Sequence, residues 1–420
     1  MKPLFSNIAQ NRPAIQVFAD TVQIQTIVNL FKGIFILLFL LHTSCRSAKT
    51  ESSAALEINE KVKNKYAPDK RVALYQISII EKNKQLLLSG ETNMPEALEQ
   101  LKKELSMNNY VFTDSVHILP DLALGELRYA VVNNSVANLR SEGRHAAELA
   151  TQALLGTPLN VLKTNGDFYL VQTPDHYISW VDHGGIKLMG LNDYEQWLGS
   201  EKLIYLQSYG FVFRDKKREN KAADLVLGSI LKINGQDDEV YFVEFPDGRT
   251  GLVDKKEAML FADWLAKLQP GPELIEKYSR ELMGVPYLWG GTSAKGFDCS
   301  GFTKTVYFMN GYIIPRDASQ QIFAGKIVDP DFKFEGLEKG DLMFFGTKAT
   351  PDKKQKVTHV GIWLGNGEFI HASKQVRVSS INQGSPLFDK ANIDKYLGSR
   401  RYLNQTDPGI QNLNSLFARP

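Results

Sequence analysis

Two stretches of this 420-residue chain follow one pattern of short strands and turns. The first, GTPLNVLKTNGDFYLVQTPDHYISWVD, lies within residues 126–200, and the second, LVLGSILKINGQDDEVYFVEFPDGRTGLVD, within residues 201–268. Each runs from a Leu-Gly step into a strand ending in Leu-Lys, then a turn, an aromatic-rich strand, a Pro-Asp turn and a short strand ending in Val-Asp. Strands this short, separated by turn signals this close, predict small β-barrels, here two in tandem.

The rest of the chain must be organised around that pair. At 420 residues there is room for two to four domains, and 43% apolar with 23% charged residues is enough to give each a core. Lys and Arg total 49 against 47 Asp and Glu, a net charge of +2. Such a balance offers no basic surface for a phosphate backbone and speaks against nucleic acid as a partner.

Only two cysteines are present, Cys45 and Cys299. Two cannot make a disulfide framework or a four-cysteine zinc site, so each needs its own explanation unless they pair with each other. Cys45 ends FKGIFILLFLLHTSC: a positive Lys32, an apolar run from Gly33 to Leu41, then small Thr43 and Ser44. That is the order of a secretory signal, and the run is too short to span a membrane comfortably. A Cys at this point resembles a bacterial lipoprotein signal, which implies that Cys45 becomes a lipidated first residue anchoring the protein in the cell envelope. His42 and the long, nearly uncharged stretch from Met1 to Asn29 depart from that pattern. An uncleaved anchor or an ordinary signal peptide are the alternatives, and either also exports the rest.

The expected organisation is a signal segment over 1–45, a small α+β domain over 46–125, barrels over 126–200 and 201–268, a further domain over 269–405 and a tail over 406–420. In the N-terminal domain RVALYQISII alternates like a strand, and ETNMPEALEQLKKEL reads as a helix with Pro95 as its first residue. Nothing in 46–125 suggests chemistry. After the barrels, Pro272 opens a helix with Leu274, Ile275, Tyr278 and Leu282 on one face, stopped by Gly284. A glycine-rich stretch and strand-like runs at DLMFF, VTHVGIWLG and EFIHAS follow.

Cys299 sits in KGFDCSGFTK. Phe302, Val306 and Met309 recur at helical spacing behind it, so Asp298 is a natural N-cap and Cys299 lies in the first turn. The helix dipole there favours a thiolate, whereas the plainer reading is a buried structural thiol. A nucleophile also needs a base. After Cys299 only His359 and His371 remain, on two strands joined at Gly365–Gly367. A two-residue loop would pair Ile362 with His371 and put the imidazoles on opposite faces. A three-residue loop would pair Gly361 with His371 and put both on one face. The second arrangement suits nucleophile, base and orienting group. A zinc site would use the same three residues but lacks a clear fourth ligand.

YLWGGTSAKGFDCSGFTKTVY, PRDASQQ, GDLMFF and VTHVGIWLGNGEFIHAS, in this order, resemble the NlpC family of papain-like cysteine peptidases, which cleave murein peptides, and the tandem pair resembles bacterial SH3-like domains. The resemblance implies Cys299 as nucleophile, His359 as base, His371 as the group orienting it, and Tyr287 beside the reacting carbonyl. Two SH3-like domains before such a domain resemble the γ-D-glutamyl-L-diamino acid endopeptidases of the dipeptidyl-peptidase VI type, in which the first SH3-like domain restricts substrates to those with a free N-terminal L-Ala. By this resemblance Glu148, otherwise a solvated helix residue, binds the ammonium, and Tyr177 walls the pocket. Asp298, Ser300, Arg316, Asp317 and Ser319 are then candidates for the D-Glu α-carboxylate and the peptide backbone, with Asp298 alternatively only a cap. No metal or cofactor is implied.

The fold class expected is therefore α+β and multidomain: an N-terminal α+β segment, two SH3-like barrels and a papain-like NlpC domain. The expected activity is hydrolysis of the γ-D-glutamyl-L-diamino acid bond. An amidase or cross-bridge peptidase would use the same three residues on another bond. A non-catalytic cell-wall-binding lipoprotein is the third reading, against which the intact Cys299, His359 and His371 speak.

Overall fold

A computed structural model describes residues 54–82 and 85–417. The signal segment and Cys45 lie outside the described residues. The chain forms two compact units. The smaller holds the described residues up to Tyr66, Ile77–Gly90 and Glu96–Val116; the larger holds Ala67–Gln76, Glu91–Pro95 and everything from His117 onward.

The strands Tyr75–Lys82, Gln85–Thr92 and Phe112–Ile118 form a sheet in chain order; most of each lies in the smaller unit, and one end of each belongs to the larger. The helix Pro95–Met107 starts at the proline, whose fixed φ and missing N–H suit a first turn. It buries Ala97, Leu98, Leu101 and Leu105 at helical spacing.

The larger unit carries the tandem pattern strand for strand. The first repeat comprises Tyr129–Val132, Val136–Arg140, Leu149–Leu154, Pro158–Asn165, Phe168–Gln172, Ile178–Asp182 and Ile186–Met189. The second comprises Lys202–Tyr205, Tyr209–Phe213, Lys221–Val226, Ile230–Gln236, Val240–Glu244, Thr250–Asp254 and Ala258–Leu260. Both sheets place their strands in the order seventh, first, fourth, fifth, sixth, second, third. Both carry bulges at matching places, in the fourth strand at Val161/Lys163 and Ile233/Gly235, and in the third at Ala150 and Ala222, opposite Leu139/Arg140 and Val212/Phe213 of the second. An extra residue bends and coils a strand, which lets so short a sheet curl around its own core. Val132, Leu139, Val161 and Val181 fill the first, and Tyr205, Val212, Ile233 and Val253 the second. A helix closes each repeat, Leu191–Gly199 and Phe261–Lys267.

Beyond the barrels, helix Pro272–Glu281 is followed by helix Cys299–Phe308, which packs on a six-stranded sheet. Phe302 and Val306 of the second helix bury themselves with Val360, Ile362, Ile370 and Ala372 of the sheet. The strands Lys356–Gly365 and Glu368–Ser373 meet at a turn of two residues, Asn366 and Gly367, not three. Both have positive φ, 53° and 81°, as the favoured two-residue hairpin turn requires. Alone, that turn would put His371 opposite Ile362. A bulge between Trp363 and Gly365 takes up one residue, so Ile362 pairs with Ile370 and Gly361 falls opposite His371. The expected register therefore arises, but from a bulge rather than from the loop length.

Residues 406–417, expected as a tail, are part of the structure. Gln411–Asn412 pairs with Tyr312–Ile313, Leu413 is fully buried, and Phe417 meets Phe261 edge-on at 5.3 Å.

The helix of Cys299 approaches the preceding loop closely. A Cβ on Gly301 would lie 2.0 Å from the Gly291 carbonyl oxygen and 2.9 Å from Thr292 Cγ2. Since backbone must shift to admit it, Gly301→Ala is expected to cost about 1–3 kcal/mol. Urea unfolding checks this; an unchanged midpoint would contradict the close approach.

Candidate active site

Cys299 is the first residue of its helix, and Asp298 is the N-cap, accepting a hydrogen bond from the Gly301 N–H at 2.7 Å. The same carboxylate accepts from the Gly290 N–H at 3.0 Å. Arg316 grips it with two nitrogens, Nη2 to Oδ2 at 2.6 Å and Nη1 to Oδ1 at 3.1 Å. Arg316 also donates to Ser300 Oγ at 3.1 Å and to Thr151 Oγ1 of the first barrel at 2.7 Å. Its guanidinium is 1% exposed and lies behind the wall of the Cys299 cavity. The expectation that Arg316 receives a substrate carboxylate is thus corrected: it is buried, and four of its five N–H donors hold Asp298, Ser300 and the barrel. Asp298 and Ser300 themselves do line the cavity.

The two histidines are joined. His359 Nε2 lies 2.6 Å from His371 Nδ1, and His371 Nε2 lies 3.0 Å from Ser379 Oγ. Ser379 Oγ donates to Asp389 Oδ2 at 3.2 Å. The carboxylate can only accept, so it orders the whole chain by hydrogen-bond logic. Ser379 gives its proton to Asp389 and receives one from His371 Nε2. His371 Nδ1 then accepts from His359 Nε2–H, which leaves His359 Nδ1 as the unprotonated nitrogen. The backbone N–H of Val360, next to His359, is directed at the Cys299 sulfur. Among the described residues, no three His, Cys, Asp or Glu side chains gather as a metal site.

Burial, and then the adjacent Asp298 carboxylate, push the Cys299 thiol up to about 12. The Val360 and Ser300 N–H groups and Arg316 pull the other way and lose. The helix-start argument is right in sign but is outweighed by desolvation. Burial likewise pushes His359 down to about 4, and burial and the neighbouring His359 push His371 lower still. At rest the site holds a neutral thiol and neutral imidazoles.

The cavity in front of Cys299 has a volume of about 530 Å³. The first barrel contributes Glu148 and Tyr177 to its lining. Glu148 stands just before the strand Leu149–Leu154, not in a helix, and accepts from the exposed Trp289 indole N–H at 2.6 Å. Tyr177 donates to Asp317 Oδ2 at 3.2 Å. Tyr287 and Ser319 line the same space. Burial and then Cys299 raise the Tyr287 hydroxyl well above the usual phenol range. Sequence reasoning missed Trp289 as a partner of Glu148, Ser379 and Asp389 behind His371, and above all Arg71. That arginine is the first residue of RVALYQISII, in a segment expected to hold no chemistry. It lines the cavity and donates from Nη1 to Asp317 Oδ2 at 2.7 Å.

Comparison with known proteins agrees with this geometry. Residues 284–392 match the NlpC/P60 family model, and residues 139–186 match the bacterial dipeptidyl-peptidase Sh3 domain. A γ-D-glutamyl-L-lysine dipeptidyl-peptidase of Bacillus cereus is 30% identical over 274 residues, covering 62% of this chain and 77% of that relative. The chain belongs to the NlpC/P60 family. Dipeptidyl-peptidase 6 of Lysinibacillus sphaericus is 28% identical over 272 residues, 62% of this chain and 94% of that one. A crystal structure of an NlpC/P60 family protein from Bacillus cereus superposes with a TM-score of 0.57 at 25% identity, covering 66% of this chain and 99% of that one. The motifs read from the sequence and the NlpC/P60 match coincide over the Cys299 helix and the two histidine strands.

The neutral resting pair has a measurable consequence. Labelling of Cys299 by iodoacetamide in the unliganded protein is expected to climb steadily from about pH 6 to about pH 10, following the thiolate fraction. A plateau complete by about pH 6 would instead reveal a resting thiolate–imidazolium pair. His359 adds a stability signature. Its folded value near 4 lies below the unfolded 6.5, so its contribution is fully present above pH 6.5 and is lost as the pH falls towards 4. The slope in that window is at most about 1.4 kcal/mol per pH unit for this group, readable in urea midpoints of the native protein against His359→Gln.

Proposed function

We propose that the protein is a cysteine peptidase hydrolysing the γ-D-glutamyl-L-diamino acid bond of cell-wall peptides that carry a free N-terminal L-Ala. One observation carries this reading. The cavity that holds Cys299 is walled by the first barrel, which brings the Glu148 carboxylate, an apt partner for an ammonium, into the same space as the thiol.

With substrate bound, His359 Nδ1 takes the Cys299 proton as the sulfur attacks the γ-carbonyl carbon of D-Glu. Because the thiol is held neutral at rest, transfer and attack are coupled, and bound substrate displaces the water that would otherwise compete. The oxyanion is met by the Cys299 backbone N–H at the helix start and by the Tyr287 hydroxyl. The imidazolium then protonates the leaving amine of the diamino acid, leaving a thioester. Water, deprotonated by His359, attacks the thioester and releases L-Ala-D-Glu. His371, fixed by Ser379 and Asp389, keeps His359 in the tautomer this cycle needs. Ser319 offers a hydroxyl for the D-Glu α-carboxylate, and Tyr177 and Asp317 form the wall beside it, whereas the Ser300 hydroxyl donates to Asp298 Oδ1 at 3.2 Å.

Purified protein given L-Ala-γ-D-Glu-L-Lys is expected to yield L-Ala-D-Glu and Lys, identified by mass spectrometry. Cys299→Ala and His359→Ala should abolish turnover with the fold intact. Release of free L-Ala, or full activity in Cys299→Ala, would overturn the reading. Ser379→Ala, which removes the partner of His371 Nε2, should lower kcat about tenfold with KM little changed.

The apolar run before Cys45 supports export and a lipid anchor on that cysteine. No helix among the described residues is long and apolar enough to cross a membrane. Cys45→Ser is expected to abolish labelling by a radioactive fatty acid and to release the protein from the membrane fraction; unchanged labelling would refute the anchor.

A further inference from the structure

Five charged side chains line the Cys299 cavity: Arg71, Glu148, Asp298, Asp317 and Lys356. Three of them are spent in ion pairs. Arg71 Nη2 holds Asp69 Oδ2 at 2.6 Å, and its Nη1 holds Asp317 Oδ2 at 2.7 Å. Asp298 Oδ2 is held by Arg316 Nη2 at 2.6 Å. The other two stay uncompensated. Glu148 accepts from the neutral Trp289 indole at 2.6 Å, and among the described residues neither it nor Lys356 forms an ion pair. One is an anion and the other a cation, and they come from different parts of the fold: Glu148 from the first barrel, Lys356 from the start of the strand Lys356–Gly365.

Lys356 opens the strand that carries His359. Val357 and Thr358, between the two, also line the cavity. At about 3.3 Å per residue, Lys356 stands at most about 10 Å along the strand from His359. In the cycle above, His359 gives its proton to the departing amine, so the leaving residue lies on the His359 side of the thiol. The Lys356 ammonium, on its flexible four-carbon stem, is within reach of groups borne by that residue.

The charge around Lys356 points the same way. The connection KATPDKKQK, residues 348–356, has four lysines against one aspartate, in a chain whose net charge is only +2. Lys348, Lys353 and Lys354 are exposed like Lys356, and none of them forms an ion pair among the described residues. The Thr350 and Lys353 backbones bond to each other at 2.9 and 3.2 Å, which closes the loop on itself. Like charge gathered in this way raises the local potential for anions and disfavours a second cation.

We propose that Lys356 is a specificity-determining residue that binds a carboxylate of the leaving residue. Glu148 and Lys356 then match the two ends of a zwitterionic peptide, its ammonium before the scissile bond and its carboxylate beyond it. Two carboxylates have this chemistry: the main-chain carboxylate of a peptide that ends at the diamino acid, and the side-chain carboxylate of diaminopimelate. This inference rests on the function proposed above.

Three substrates test it: L-Ala-γ-D-Glu-L-Lys, its C-terminal amide, and L-Ala-γ-D-Glu-meso-diaminopimelate. Ratios of kcat/KM measured in competition do not depend on how much of a preparation is folded. At low ionic strength the native protein should prefer the free acid over its amide, or diaminopimelate over lysine, by at least about fivefold. The pair that shows the preference identifies the carboxylate. Salt should shrink that ratio. Lys356→Met, similar in length but uncharged, should bring it within about twofold of unity and remove its salt dependence, while Lys356→Arg should retain both. No preference in either pair, or one that persists in Lys356→Met, would show that Lys356 recognises neither carboxylate. If the native protein cut none of the three, the functional reading itself would fail, an outcome distinct from equal cleavage.

Discussion

Asp298 has two carboxylate oxygens, and the structure uses both several times over. One caps the Cys299 helix, the other holds the glycine-rich loop at Gly290, and Arg316 grips the pair from behind. Arg316 in turn reaches Thr151 of the first barrel. Helix start, preceding loop and barrel are thereby tied to one buried ion pair, and the position of the nucleophile depends on it. Such a pair is weak evidence for stability, because desolvation offsets most of the attraction, but breaking it from one side leaves a buried charge alone, at a cost of about 3–5 kcal/mol. It also explains why Asp298 works against the thiolate. The group that orients the helix is an anion next to the sulfur.

The histidine pair shows the same economy. A two-residue turn and a one-residue bulge put both imidazoles on one face of a hairpin. Burial then keeps both neutral, and the Ser379–Asp389 pair decides which nitrogen carries each proton. A buried, neutral site suits a reaction in which charge is created only when substrate is in place.

Around that centre, the walls come from elsewhere in the chain. Glu148 and Tyr177 belong to the first barrel, and Arg71 to a short segment far upstream that sits in the larger unit. The lining of the cavity is thus built in part from segments that lie outside the domain of Cys299, His359 and His371.

Much of this was legible in the residues. The tandem barrels announced themselves by a repeated order of strands and turns, because each strand's alternation and each turn's residue types are local properties. Asp298, Cys299 and the helix behind them were readable for the same reason. His359 and His371 were found by elimination, and their shared face followed from strand arithmetic, although the bulge that sets it was not visible. Arg71, Trp289, Ser379 and Asp389 gave no such signal: an arginine opening an ordinary strand looks the same whether it faces water or a catalytic cavity. Arg316 failed in the opposite direction, since its charge suggested a ligand site while its burial gave it to Asp298. Local sequence determined the elements and the reactive side chains, because backbone preference and hydrophobic period act over a few residues. Only the tertiary structure decided the protonation states, the spent arginine and the lining of the Cys299 cavity, because desolvation and contact between residues hundreds of positions apart exist only once the chain has folded.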